Sequence, residues 1–292
     1  MRGAIRSFSQ KAALPPGIDI VEIGNIGPST EWITALEGID TVVHLAARVH
    51  VMDKSTANPI TAYREVNVSG TKHLAQTAKS KGVRRFVYVS SIKVNGEERA
   101  DPYTEADQPA PVDPYGISKF EAEQELHNIA DKTGLEVVIL RPPLVYGPEV
   151  KANFLRLIKL INRGILFPLA GVKNHRSMIY IENLVDALFT CATHPRAAGK
   201  IFLVSDGTDV STPELIQKIS SALGKHARVF ALPPGLLRLL GRLSGKYEAV
   251  SRLLDSLIVD STKIRTELDW KAPFSMEEGL RETVRWYQQE VR

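Results

Sequence analysis

Two short segments, residues 41–46 and 85–89, are almost unbroken apolar runs: Val42-Val43-His44-Leu45-Ala46 and Phe86-Val87-Tyr88-Val89. A strand without polar alternation is covered on both faces, which points to a parallel sheet with helices above and below. Three further β-like runs, 2–6, 18–23 and 135–140, accompany them. Helical patterns lie between. Residues 59–81 carry apolar side chains near helical spacing, and 115–132 follow Asp113-Pro114, a good helix entry. Strands alternating with helices predict an α/β fold built on a doubly wound parallel sheet. Ligands of such sheets bind beyond the carboxyl ends of the strands, so the residues that follow each strand are the ones to examine for chemistry.

The second half changes character. Helices are expected from Thr212 and from Ser275, where Ser275-Met276-Glu277-Glu278 has the capping-box pattern. Gly and Pro are denser over 142–171 and 233–235, as in loops that close a cleft. The stretch 236–257 is amphipathic and basic; a lid or substrate-domain helix is favoured there over a membrane-surface helix. No apolar run approaches the roughly 18–20 residues of a membrane span, so none is expected. A single cysteine excludes a disulfide framework and a multi-cysteine metal site. Cys191 lies in an apolar helical run and reads as core, and the seven histidines form no HExxH arrangement, so no metal is expected. The first residues lack the apolar region of a signal peptide, which makes the cytoplasm the expected compartment. The formal charge of +4 suits anionic ligands. Lys and Arg are scattered, however, so nucleic acid is not an expected partner.

Three short segments carry the candidate chemistry. Leu45-Ala46-Ala47 follows the third strand, and small residues there allow a ligand close to the backbone. Ser90-Ser91 ends the fourth strand and puts a hydroxyl at the mouth of the sheet; taken alone, a turn-forming role is the better reading. Tyr115-Gly116-Ile117-Ser118-Lys119 places a phenol and an ammonium on one helix face, and of the eight tyrosines only Tyr115 has a lysine four residues on. A phenol near pKa 10 needs about 3 units of lowering, ~4 kcal/mol, to act as a base near neutrality. A cation about 4–6 Å away supplies ~3–4 kcal/mol at an effective dielectric near 20. Electrostatics can therefore do most of that work, and the pair gains weight from the serine before it.

Together with Asn67-Val68-Ser69-Gly70-Thr71, Arg141-Pro142-Pro143-Leu144-Val145-Tyr146-Gly147-Pro148 and Arg176-Ser177-Met178-Ile179-Tyr180-Ile181-Glu182-Asn183-Leu184, these segments resemble the extended short-chain dehydrogenase/reductases. More narrowly, the chain from about Ala4 onward is similar to their nucleotide-sugar epimerase/dehydratase group. Ala46-Ala47-Arg48-Val49-His50-Val51 and Ser91-Ile92-Lys93-Val94-Asn95-Gly96 give it the texture of the UDP-N-acetylquinovosamine dehydrogenases, which work at C4 of a UDP-sugar. The resemblance implies a Rossmann-type domain over 1–148. It implies a smaller α+β substrate domain over 149–292, with segments returning to the sheet. It makes Tyr115 the acid/base at the sugar hydroxyl, Lys119 a ligand of the nicotinamide ribose that depresses the phenol, and Ser91 a hydrogen-bond partner of the same sugar oxygen. Leu45, Ala46, Ala47 and Asn67 would line an NAD or NADP cofactor, with the Pro142 carbonyl toward the carboxamide. Arg176 would clamp the diphosphate with help from Arg252, and Asn153 would touch the nucleotide.

The implied activity is hydride transfer at C4 of a UDP-sugar, as a 4-dehydrogenase or 4-ketoreductase, with a 4-epimerase holding its NAD tightly as the alternative. A homodimer is compatible with it. A hydroxysteroid- or flavonoid-type reductase is disfavoured, because a neutral substrate needs no paired arginines. The 4,6-dehydratases of the group place Asp-Glu after the catalytic hydroxyl; Ile92-Lys93 stand there in this sequence, which disfavours dehydration. A second departure concerns the strand, Gly-x-x-Gly-x-x-Gly turn and helix that open the fold and hold the cofactor pyrophosphate. Gly24-Asn25-Ile26-Gly27 lacks that spacing, and residues 2–6 correspond to the second strand with Arg6 at its end. The sheet is therefore expected without its first strand, and the missing segment is expected upstream of the residues given. A non-catalytic nucleotide-binding module stays open on the same ground. Arg6, in place of the usual acidic residue, is expected to tolerate the 2′-phosphate of NADP.

Overall fold

The computed structural model describes residues 1–9, 16–49 and 59–291. Its contacts divide the chain into two units, residues 1–96, 108–141 and 190–202 in the first and 97–107, 142–189 and 203–292 in the second.

The first unit is a parallel α/β structure. Strands β1 (Arg2–Ile5) and β2 (Asp19–Glu22) pair in parallel, with Arg2 opposite Asp19 and Ile5 opposite Glu22. Strands β3 (Thr41–His44), β4 (Arg85–Val89), β6 (Glu136–Arg141) and β9 (Ile201–Leu203) form a second sheet in the order β3-β4-β6-β9. The β3–β4 and β4–β6 pairs are parallel. Among the described residues, no ladder joins the β1–β2 pair to the four-stranded sheet. Residues 2–6, 18–23 and 41–46 shorten at their ends to these strands, whereas 85–89 matches β4 residue for residue.

Phe86, Val87 and Tyr88 of β4 and Val138, Ile139 and Leu140 of β6 are wholly buried, as a strand covered on both faces requires. One face is covered by Leu74, Ala75 and Ala78 of α3 (Thr71–Ser80) and by Ala122, Leu126 and Ile129 of α4 (Pro114–Thr133), with Trp32 and Leu36 at the rim. Residues 59–80 are helical throughout but not uniformly so: α2 (Pro59–Arg64) passes into a π-helical turn over Glu65–Gly70 before α3. Asp113 caps α4, its carboxylate accepting from Gly116 N at 2.6 Å. A Cβ on Gly116 would stand 2.8 Å from the Lys93 carbonyl oxygen, so glycine is what lets the start of α4 lie against the loop after β4. The buried Arg85 guanidinium donates through Nη1 to the carbonyls of Cys191, Ala192 and His194, satisfying the last turn of a helix. Cys191 is in the core, and burial pushes its thiol up to about 12.

The second unit is mainly helical. Its core gathers Phe154, Ile158 and Ile161 of α5 (Ala152–Asn162), Ile216 and Ile219 of α7 (Thr212–Ala222), and Met276, Leu280, Val284 and Tyr287 of α11 (Met276–Glu290). Both α7 and α11 open with a full capping box, Ser211 with Glu214 and Ser275 with Glu278. Two parallel strand pairs complete it: β7 (Leu144–Tyr146) with β8 (Met178–Tyr180), and β5 (Arg99–Tyr103) with β10 (Leu257–Val259). The amphipathic stretch 236–257 is not one helix. Gly245, at φ +65°, separates α8 (Pro234–Leu243) from α9 (Tyr247–Leu254). No helix among the described residues is long and apolar enough to cross a membrane.

Candidate active site

The carboxyl ends of β3 and β4 and the first two turns of α4 bring several of the expected residues together in the first unit. Beyond β3, Leu45 is 63% exposed and Ala46 is open as well, leaving a shelf of small and uncovered residues. Beyond β4, Ser91 turns outward in extended conformation and its hydroxyl accepts from Lys93 N at 3.3 Å, capping a short 3-10 turn over Ile92–Val94. Lys93 pairs with Asp113, the cap of α4, which ties the serine loop to the helix that carries Tyr115. The neighbouring Ser90 is buried, and its hydroxyl has no partner among the described residues.

On α4, Tyr115 and Lys119 share one face as their spacing predicts, but their electrostatics differ from expectation. Burial pushes the Tyr115 phenol up to about 12, and the nearby Asp113 carboxylate adds to the rise. Lys119 is 1% exposed, and burial lowers its ammonium to about 7 against an opposing pull from Glu123. Desolvation outweighs attraction because no bonded counter-charge offsets the burial. The ammonium sits 4.1 Å from the centroid of the Tyr88 ring, and no hydrogen bond or ion pair holds it among the described residues. The expected depression of the phenol by Lys119 is thus absent from the ligand-free chain.

A second shift from expectation concerns Asn67. It is 1% exposed; Nδ2 donates to the Arg48 carbonyl and to Ser118 Oγ, both at 3.0 Å, while Oδ1 accepts from Arg48 N at 2.7 Å. Both N–H donors are spent inside the protein. Asn67 is thus a strut between the shelf after β3 and the helix of Tyr115.

Several residues escaped the sequence. Tyr63 meets the Tyr115 ring edge-on at 6.3 Å and donates its hydroxyl to the Val49 carbonyl at 3.2 Å. Tyr88 is stacked in turn on His44, whose Nε2 lies 3.0 Å from Thr71 Oγ1. Burial and the Lys119 charge together hold that imidazole down to about 3, so it is neutral. The Arg141 guanidinium, at the end of β6, is clamped by Glu123 of α4 at 2.5 and 3.0 Å and donates to Asn95 Oδ1 at 3.0 Å. None of these pairings has a sequence signal, because each joins residues fourteen or more apart.

Of the remaining expected residues, Arg6 is exposed just past β1. Pro142, buried, begins the second unit's middle segment. In the second unit, Arg176 and Arg252 meet: Arg176 Nη1 donates to the carbonyls of Arg252 and Asp255, each at 3.0 Å. Burial lowers the Arg176 guanidinium from its ordinary value, the Asp255 charge opposing. Asn174, unremarked in the sequence, braces this corner through Thr212 and the Leu253 and Asp255 carbonyls. Asn153 is exposed in the first turn of α5.

The arrangement offers a phenol, two hydroxyls and an ammonium without an acceptor. The buried cation and the orphaned Ser90 hydroxyl fit a ligand rich in hydrogen-bond acceptors, such as the ribose hydroxyls and carboxamide of a nicotinamide nucleotide.

Comparison with known proteins agrees with this geometry. Residues 5–205 match the NAD dependent epimerase/dehydratase family. A UDP-glucose 4-epimerase of Vibrio cholerae is 45% identical over 273 residues, spanning 92% of this chain and 83% of the relative. Among solved structures, MoeE5 in complex with UDP-glucose and NAD superposes with TM-score 0.76 at 25% identity, covering 100% of this chain and 91% of its own. The UDP-glucuronic acid 4-epimerase from Bacillus cereus in complex with NAD superposes at 0.78 and 22% identity, covering 97% and 85%.

Proposed function

The chain belongs to the NAD-dependent epimerase/dehydratase family, and from that premise we propose that it inverts C4 of a UDP-sugar, as a UDP-glucose 4-epimerase does. The observation that carries the reading is the 45% identity to the Vibrio cholerae epimerase over nearly the whole chain, with Ser91, Tyr115 and Lys119 in place.

Bound oxidised NAD supplies a hydride acceptor and donor for C4 of the sugar and a second positive charge beside the phenol. The residues of the chain do the rest. Tyr115 takes the 4-hydroxyl proton when C4 is oxidised and returns a proton to the same oxygen when the carbonyl is reduced from its opposite face. Ser91, with Ser90 behind it, donates to that oxygen and fixes its position. Lys119 holds the ribose hydroxyls. A phenol at about 12 and an ammonium at about 7 are poorly poised for this. Each pKa unit corresponds to about 1.4 kcal/mol, so the lysine alone does not bring the phenol to neutrality, and a second cation is needed. In the second unit, Arg176 and Arg252 are assigned to the nucleotide diphosphate and Asn153 to the nucleotide. No carboxylate pair follows Ser91, since Ile92 is buried and Lys93 is paired with Asp113, so 4,6-dehydration lacks its acid and base.

The test is incubation of the purified chain, supplied with NAD, with UDP-glucose. Formation of UDP-galactose without accumulation of reduced nicotinamide is expected. Reduced nicotinamide accumulating in step with a 4-keto sugar would replace the epimerase with a net 4-dehydrogenase using the same residues.

A further inference from the structure

Helix α8 turns an apolar stripe outward. Leu236, Leu239, Leu240 and Leu243 are 44%, 52%, 50% and 77% exposed, and their spacing of three and four residues sets them on one face. The opposite face, Leu237 and Gly241, is buried, and a Cβ on Gly241 would press on Val250 of α9 at 2.9 Å. The stripe is therefore fixed outward by packing. Tyr247 and Leu253 of α9 add further exposed apolar surface.

The charge on the segment that carries the stripe has one sign, and the exposed Glu248 of α9 pairs with Arg252. Residues 225–246 contain Lys225, Arg228, Arg238, Arg242 and Lys246 and no Asp or Glu. Arg238 is neutralised by Asp255 at 2.7 Å. Lys225 is held by Asn162, and the Arg242 guanidinium stacks on the Tyr247 ring at 5.1 Å; among the described residues neither they, Arg228 nor Lys246 has a carboxylate partner. A leucine stripe bordered by cations and an aromatic ring is the pattern of a helix lying in a membrane interface. A second copy fits poorly, because a two-fold contact would set these cations against themselves. At ten residues α8 cannot cross a bilayer, so it would lie along the surface.

We propose that the α8–α9 hairpin docks the protein on an anionic phospholipid bilayer, the leucines entering the acyl boundary and Arg228, Arg242 and Lys246 facing the headgroups. This stands apart from the epimerase reading, since none of the residues tested below is assigned to catalysis or substrate.

The test is co-sedimentation of the full chain with phosphatidylcholine vesicles made with and without phosphatidylglycerol. Salt-sensitive binding only to the anionic vesicles is expected. Leu239→Ser/Leu240→Ser/Leu243→Ser should abolish it. Arg242→Gln/Lys246→Gln should weaken it about 25-fold, since each cation near an anionic surface contributes about a factor of five. Turnover of a soluble UDP-sugar should be unchanged in both. The charge variant keeps the test intact if the leucine variant does not fold. Absence of binding, equal binding to both vesicle types, or a dimer that the leucine variant makes monomeric while no vesicle binds would overturn the proposal.

Discussion

The ammonium of Lys119 rests 4.1 Å from the centre of the Tyr88 ring, and among the described residues no carboxylate bonds to it. Its charge is thus held by a π face in the absence of ligand, and it titrates near neutrality.

That position has a stability signature. With Lys119 lowered from 10.5 to about 7, the unfolded chain keeps a proton that the folded chain has lost between those values. Stability of the ligand-free protein should rise with pH from about 7 to 9, after which the raised Cys191 thiol and then the raised Tyr115 phenol oppose it. Melting temperature against pH should show the rise, and Lys119→Met should flatten it while weakening both cofactor binding and turnover.

Tyr115→Phe should lower turnover by roughly 10²–10⁴, the usual worth of a positioned proton donor, and leave the circular dichroism spectrum unchanged. Turnover within threefold of the parent, measured by steady-state kinetics, would remove Tyr115 from the proton path.

Glu123→Gln leaves the buried Arg141 without its counter-charge. Both side chains are 2% exposed, so the loss should be about 3–5 kcal/mol in urea unfolding. An apolar pair, Glu123→Leu/Arg141→Met, should cost less than the single change.

Asn67→Asp keeps the acceptor and removes both donors to Arg48 and Ser118. A destabilisation of about 1–3 kcal/mol is expected. Because the strut positions the shelf after β3, the KM for cofactor should rise more than kcat falls.

Arg6→Ala should weaken NADPH relative to NADH in competition binding. A strong preference for NADH that survives the substitution would take Arg6 out of the 2′-phosphate site.

The sheet and the Tyr115–Lys119 pair were legible because both are local: apolar runs fix strands, and a four-residue spacing fixes a helix face. Ser91 was legible for the same reason, since it ends a strand. The supports were not. Nothing near Asn67 announces Arg48 and Ser118 as partners, and Tyr88 reads as one more apolar strand residue until Lys119 is seen over its ring. The sign of the Tyr115 shift was also out of reach, because desolvation depends on what surrounds the phenol, and the sequence shows only the charge four residues away. In 236–257 the amphipathic pattern was plain, but the break at Gly245 and the outward leucines belong to packing.

The split of the first unit into two ladders sets how its amides will trade with deuterium. Strand β4 is bonded on both sides, to β3 and β6, so its protons should leave only when the four-stranded sheet opens as a whole. β1 and β2 have only each other among the described residues, and four residues apiece make a short zipper. Their protons should exchange through local fraying, far ahead of the rest. The same chain would then show two protection regimes, divided between β1 and β2 on one side and the strands that carry the serines and the tyrosine helix on the other.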